Sequence, residues 1–139
     1  MIADTTSTDL LVEVLTTRLR RIDLVGWRRI ATLAEESRLS FEHLRLLLAL
    51  VVKIDDGPAT ASELGELAGL EVDGAYPAAR MLHGRGYLHE ESRHYSLTER
   101  GQELVAKLEA AHREGIQAYV ETLDRDERER LVNAFVTPR

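Results

Sequence analysis

The chain has no cysteine among its 139 residues. Disulfides and thiolate-held metals are therefore excluded, and a reducing, cytoplasmic setting is expected. Only 5% of the residues are aromatic, with Trp27 the single tryptophan. No apolar run approaches the roughly 20 residues that span a bilayer, so no membrane partner is expected. The opening MIADTTSTD has neither the basic nor the apolar segment of a secretion signal. Nucleophile elbows, phosphate-cradling glycine loops and G-x-G-x-x-G turns are all missing, so neither an enzyme nor a cofactor is expected. The histidines His89 and His94 flank Glu90 and Glu91, but strand alternation would scatter them over two faces, and no metal is expected there. Positive charge is also short: the formal balance is −6. That works against binding a polyanion, which needs clustered Lys and Arg.

What is present is organised around residues 57–98. Thr60-Ala-Ser-Glu63 has the S/T-x-x-E pattern of a capping box, in which the threonine oxygen and the glutamate carboxylate each satisfy an amide of the first helical turn. Leu64, Leu67 and Ala68 then fall on one face, Gly69 stops the helix, and Leu70 is a buried corner. A second helix follows with Ala75, Ala78, Ala79 and Leu82 as its inner face, ending at Arg85-Gly86. Two short alternating runs, 87–91 and 94–97, close around Ser92-Arg93 as a hairpin. Helix, turn, helix and hairpin in this order are a winged helix-turn-helix.

The ends of the chain carry long helical patterns. From about residue 8, Leu11, Val14, Leu15, Leu19, Ile22, Val25, Ile30 and Leu33 recur at three- and four-residue steps, with Gly26 the one weak point. Residues 1–7 are polar and expected to fray. Ser40 caps a helix whose Phe41, Leu44, Leu47, Leu48, Val51 and Val52 face inward, and Asp55-Asp-Gly-Pro58 turns the chain into the winged segment. Thr98 caps another long helix, and Asp124-x-x-Glu127 opens a last one with Leu131, Val132, Phe135 and Val136 inside; Pro138 closes it. A stripe this long is either a core helix or a dimerisation helix. More apolar surface than one copy can cover favours a two-fold homodimer. The expected organisation is one domain, mainly α with a small β-hairpin wing. Residues 8–36 and 98–139 are its dimerisation helices and 40–97 its winged lobe.

Four stretches resemble the MarR family of bacterial transcriptional regulators: Gly57-Pro-Ala-Thr-Ala-Ser-Glu-Leu64, Leu82-His-Gly-Arg-Gly-Tyr-Leu88, Ser96-Leu-Thr-Glu-Arg-Gly101 and Leu123-Asp-Arg-Asp-Glu-Arg-Glu-Arg-Leu131. The resemblance implies a dimer formed by the terminal helices, double-stranded operator DNA as partner, and a small anionic or phenolic effector. Trp27, Arg28, His43 and Tyr119 are the candidates for lining an effector pocket.

By position, the second helix of the motif would present Val72, Asp73, Gly74, Tyr76, Pro77, Arg80 and Met81 to the major groove, with Arg85 at its exit and Thr60 and Ser62 at the first helix start. Ser92, Arg93 and His94 form the wing tip, and the resemblance implies that Arg93 enters the minor groove. Two features run against DNA. Residues 57–97 carry three arginines and six carboxylates, a balance of −3. Pro77 requires either a helix capped by Asp73 that lacks one hydrogen bond, or a helix that starts at Pro77 itself. A winged-helix dimer that has lost operator binding and acts by protein or ligand contact is therefore the second reading.

Overall fold

The computed structural model describes residues 2–52 and 57–136. Its elements are α1 (Ile2–Ser37), α2 (Phe41–Val52), β1 (Ala59–Thr60), α3 (Ala61–Ala68), α4 (Val72–Gly84), β2 (Leu88–Glu91), β3 (His94–Leu97), α5 (Glu99–Glu121) and α6 (Arg125–Val136). Asp55, Asp56 and Pro138 lie outside the described residues.

Local signals place most of these boundaries. The Thr60 hydroxyl accepts from the Glu63 amide at 3.2 Å and caps α3. The Glu63 carboxylate accepts from that same hydroxyl at 3.3 Å. Thr98 caps α5 through the Gly101 amide at 3.0 Å. The box at α6 closes in both directions, Glu127 N–H to Asp124 Oδ1 at 2.8 Å and Asp124 N–H to Glu127 Oε1 at 3.4 Å. Three helices end in the same left-handed reversal. After α3 and α4 the left-handed residues are Gly69 (φ 71°) and Gly86 (φ 84°), and in each the next amide reaches back five residues: Leu70 to Gly65 and Tyr87 to Leu82. After α1 the same position is Arg38, with φ 58°, and Leu39 N–H reaches Ala34 at 3.1 Å. An L side chain pays about 1 kcal/mol there.

The chain divides into two compact units. One comprises residues 30–110: the end of α1, α2, the helix-turn-helix, the sheet and the start of α5. Its core contains Leu44, Leu46, Leu47, Leu64, Leu82 and Leu108, with Tyr95 the largest fully buried side chain among the described residues. The face Ala75, Ala78, Ala79 and Leu82 is buried as the sequence predicts. Gly65 lets α3 and α4 touch, because a Cβ there would stand 2.5 Å from that of Ala75. The sheet has three antiparallel strands in the order β1-β3-β2, not the expected two. Ala59 lies opposite Tyr95 and Thr60 opposite His94, so the short strand leading into α3 ties the wing to the motif.

The other unit comprises residues 1–29 and 111–139. Gly26 is its contact point rather than a weakness: it is buried, and Ala111 O stands 3.3 Å from where its Cβ would be. A Cβ on Gly115 would lie 2.7 Å from Ile22 O. The Arg29–Glu114 ion pair at 2.9 Å lies alongside.

Several expectations are corrected. Helix α1 starts at Ile2, because the polar residues before Thr8 contain no helix breaker. Leu67 is exposed and Leu70 only partly buried, since an eight-residue helix buries Leu64 and Ala68 instead. Phe41, Val51 and Val52 are exposed, while Leu46 and Ala49 take the inner positions of α2. Helix α6 buries none of its residues, and Phe135 is 83% exposed.

Candidate nucleic-acid interface

Helix α4 begins earlier than either expected start. Its N-cap is Glu71, in extended backbone, with no side-chain cap bond. Asp73 is therefore inside the first turn, and Pro77 lies within the helix. The bond that Pro77 would donate to the Asp73 carbonyl does not exist, because proline has no N–H. Burial of Ala75, Ala78, Ala79 and Leu82 holds the helix together across this gap. The outer face then shows Asp73, Gly74, Tyr76, Pro77 and Arg80, all exposed. The Arg80 guanidinium carbon lies 5.8 Å from the centroid of the Tyr76 ring, which orients both side chains outward as a pair.

The wing tip is a two-residue turn. Ser92 (φ 51°) and Arg93 (φ 64°) are both left-handed. Such a turn matches the strand twist but favours Asn-Gly, so two L residues there store strain. His94 Nδ1–H donates to the Ser92 carbonyl at 2.9 Å, bracing the turn and leaving Arg93 exposed at the apex. His83 joins α4 to the wing: its Nδ1–H donates to Leu88 O at 2.9 Å, and its Nε2 is 3.8 Å from a Glu90 carboxylate oxygen. Below the tip, burial pushes the Tyr95 phenol above its ordinary pKa, and the Glu90 charge adds to this.

The remaining candidates fall in other places. Thr60 is held by its capping box, and Ser62 is exposed one residue into α3. Arg85 Nη1 donates to the Arg38 carbonyl at 2.7 Å. His43 takes the glutamate's place in a capping box at α2: Ser40 N–H donates to its Nδ1 at 3.1 Å, and His43 N–H donates to Ser40 Oγ at 3.3 Å. The Ser40 hydroxyl is 2.7 Å from the same ring nitrogen. Burial, then the charge of Arg85, lowers the His43 pKa from its usual 6.5, against a smaller opposing effect of Glu42. Tyr119 lines a cleft of about 570 Å³ with Leu10, Val14, Arg18, Arg21 and Leu123; Trp27 and Arg28 are not among its walls. Of the four effector candidates, Tyr119 alone lines this cleft. Among the described residues no three His, Asp or Glu side chains form a metal-holding group, and no helix is long and apolar enough to cross a membrane.

The Arg38 and Arg100 contacts at the exit of α4 escaped sequence reasoning. Neither arginine has a local pattern that marks it. Arg38 offers only its carbonyl, to a guanidinium 47 residues away, and Arg100 donates to a backbone carbonyl 15 residues away.

No family model and no curated protein matches the chain. Solved structures do. A putative transcriptional regulator from Pseudomonas aeruginosa is 23% identical, covers 96% of this chain and 90% of its own, and superposes with a TM-score of 0.74. The multiple antibiotic-resistance repressor MarR of Listeria monocytogenes is 16% identical over 94% of this chain and 91% of its own, with a TM-score of 0.67. A MarR family protein of Mycobacterium tuberculosis, solved in complex with DNA, is 19% identical over 88% of this chain and 98% of its own, with a TM-score of 0.61. At such identities the likeness establishes the fold, and the fold is that of the MarR regulators.

Proposed function

We propose that this chain, built on the MarR fold, is a homodimeric, cytoplasmic transcriptional regulator that binds a pseudo-palindromic operator. One observation carries the reading: the winged motif exposes a paired Tyr76 and Arg80 on α4 and holds Arg93 on a strained turn at the wing apex. Helix α4 would enter the major groove with Asp73, Gly74, Tyr76, Pro77 and Arg80, and Ser92, Arg93 and His94 would follow the adjacent minor groove. Thr60 and Ser62 would meet the phosphate backbone at the start of α3. The structure of the mycobacterial MarR family protein in complex with DNA supports DNA as the partner. Leu11, Leu15, Leu19, Ile116 and Phe135, all exposed in a single copy, supply the apolar surface for the second copy. A small-molecule effector is part of the proposal, with Tyr119 the candidate that lines a cleft.

The test is titration against the DNA upstream of its own gene at two salt concentrations. Arg80 and Arg93 give four phosphate-range cations per dimer, hence a slope of log K on log salt of about −3.6. Between 50 and 200 mM salt the affinity should fall by roughly a hundredfold. Replacing both arginines with alanine should abolish binding, and retention would refute the assigned surface. Sedimentation should show a dimer.

The −3 balance of residues 57–97 and the interior Pro77 favour a second reading, in which a winged-helix dimer acts by protein or ligand contact. Failure to bind at low salt would select it.

A further inference from the structure

Arg85 stands where α4 ends, and it is held from both sides. Its own carbonyl accepts from Arg100 Nη1 at 2.8 Å. Its Nη1 donates to the Arg38 carbonyl at 2.7 Å. Arg38 is the left-handed residue that closes α1, beyond the last turn, where the helix macrodipole collects negative partial charge. A guanidinium at that carbonyl therefore makes a charge-assisted bond to the end of a 36-residue helix. It also steadies an arginine in a backbone conformation that glycine would occupy more cheaply. Arg100 extends the linkage: its Nη2 donates to the Tyr87 hydroxyl at 3.3 Å, and its guanidinium carbon lies 4.5 Å from the Tyr87 ring centroid. The exit of α4 is thus pinned to α1 by Arg85 and to α5 by Arg100.

We propose that Arg85 is a positioning residue: it fixes the exit of the reading helix to the C-terminal turn of α1 and so sets how α4 is presented, instead of contacting DNA itself. The second half rests on the DNA-binding reading; the first does not. The His43 pKa, lowered first by burial, is lowered further by the Arg85 charge, which agrees with Arg85 standing near the start of α2. A guanidinium has five donors, so one bond to a carbonyl leaves others for a phosphate. Charge alone does not separate strut from contact, but salt dependence does.

The experiment is Arg85→Gln in the full chain, with Arg93→Gln as comparison. Without DNA, amide exchange at Leu39 should quicken and the His43 titration should move up in pH. With DNA, affinity should fall by about tenfold for each of the two copies, the worth of one charge-assisted hydrogen bond apiece, at an unchanged salt slope. Arg93→Gln should instead shrink the slope by about 1.8, counting two copies. A slope reduced as much by Arg85→Gln would make Arg85 a phosphate contact and overturn the proposal. Unchanged Leu39 exchange together with an unmoved His43 titration would overturn the strut even if DNA binding stands. If the parent protein binds no DNA at low salt, the presentation role falls with the operator reading, and the two DNA-free measurements still decide the strut.

Discussion

Replacing Pro77 with alanine should make the protein more stable. Alanine supplies the amide that would reach the Asp73 carbonyl and removes the ring that crowds it. A proline in a helix interior costs about 3 kcal/mol relative to alanine. Less is recovered here, because Asp73 lies in the first turn and is exposed, so water can serve its carbonyl in the parent. Proline also restricts the unfolded chain, which returns about 0.4–1 kcal/mol to the parent. The Pro77 side chain is exposed, so its loss opens no cavity. The net expectation is a gain of about 1–2 kcal/mol, or a Tm higher by about 3–8 °C for a chain of this size. Thermal unfolding followed by circular dichroism, at matched protein concentration, reads this directly. An unchanged or lower Tm would mean that α4 does not need the missing bond. The account of Pro77 as an interior residue of that helix would then be wrong. A more stable variant with weaker operator affinity would show that the parent keeps the proline for the shape of its reading face.

His43 makes stability depend on pH. Its folded pKa is lowered, so the unfolded chain binds more protons and stability rises with pH. This contribution should be present above the ordinary value near 6.5 and lost as pH falls through the lowered one; His43→Gln should flatten the urea midpoint between pH 5 and 8. Gly101→Ala would set a Cβ on the Tyr87 carbonyl oxygen, and the urea midpoint should drop by the equivalent of about 1–3 kcal/mol. Arg93→Gly should relieve the left-handed strain at φ 64° and stabilise the hairpin by about 1 kcal/mol while weakening DNA binding; a loss of stability would refute the strain argument.

The parts of the fold legible in the sequence are those whose cause is local. Thr60 with Glu63, Thr98 with Gly101, and Asp124 with Glu127 each satisfy amides within three residues, so the pattern and the bond coincide. The strand β1 was not legible. It is two residues long, and its partners Tyr95 and His94 lie 36 and 34 positions away. The start of α4 was missed because Glu71 makes no side-chain cap bond. Ala75 packs closely against Gly65 just inside this start, and nothing near Glu71 announces that contact. In α2 an apolar run has no phase, so Val51 and Val52 could be assigned inward while Leu46 took the core. His43 shows the same limit at a site. An imidazole two residues into a helix can line a ligand or cap the helix, and only the geometry at Ser40 shows the cap.

The exposed apolar residues have a consequence for how stability must be measured. Leu10, Leu11, Leu15, Leu19, Leu24 and Val25 stand in water along one helix, and Val132, Phe135 and Val136 do so along another. Isolated monomers rarely expose a contiguous patch beyond about 600 Å². The periodic stripe of α1 is apolar, yet much of it stays exposed in a single copy. If a second copy covers it, folding and association share the same free energy, and Tm must rise with protein concentration. A Phe135→Ser variant would then weaken the concentration dependence while leaving the buried core of residues 30–110 intact, since Phe135 contributes nothing to that core. A Tm independent of concentration in the parent protein would remove the apolar ends from the argument for a dimer.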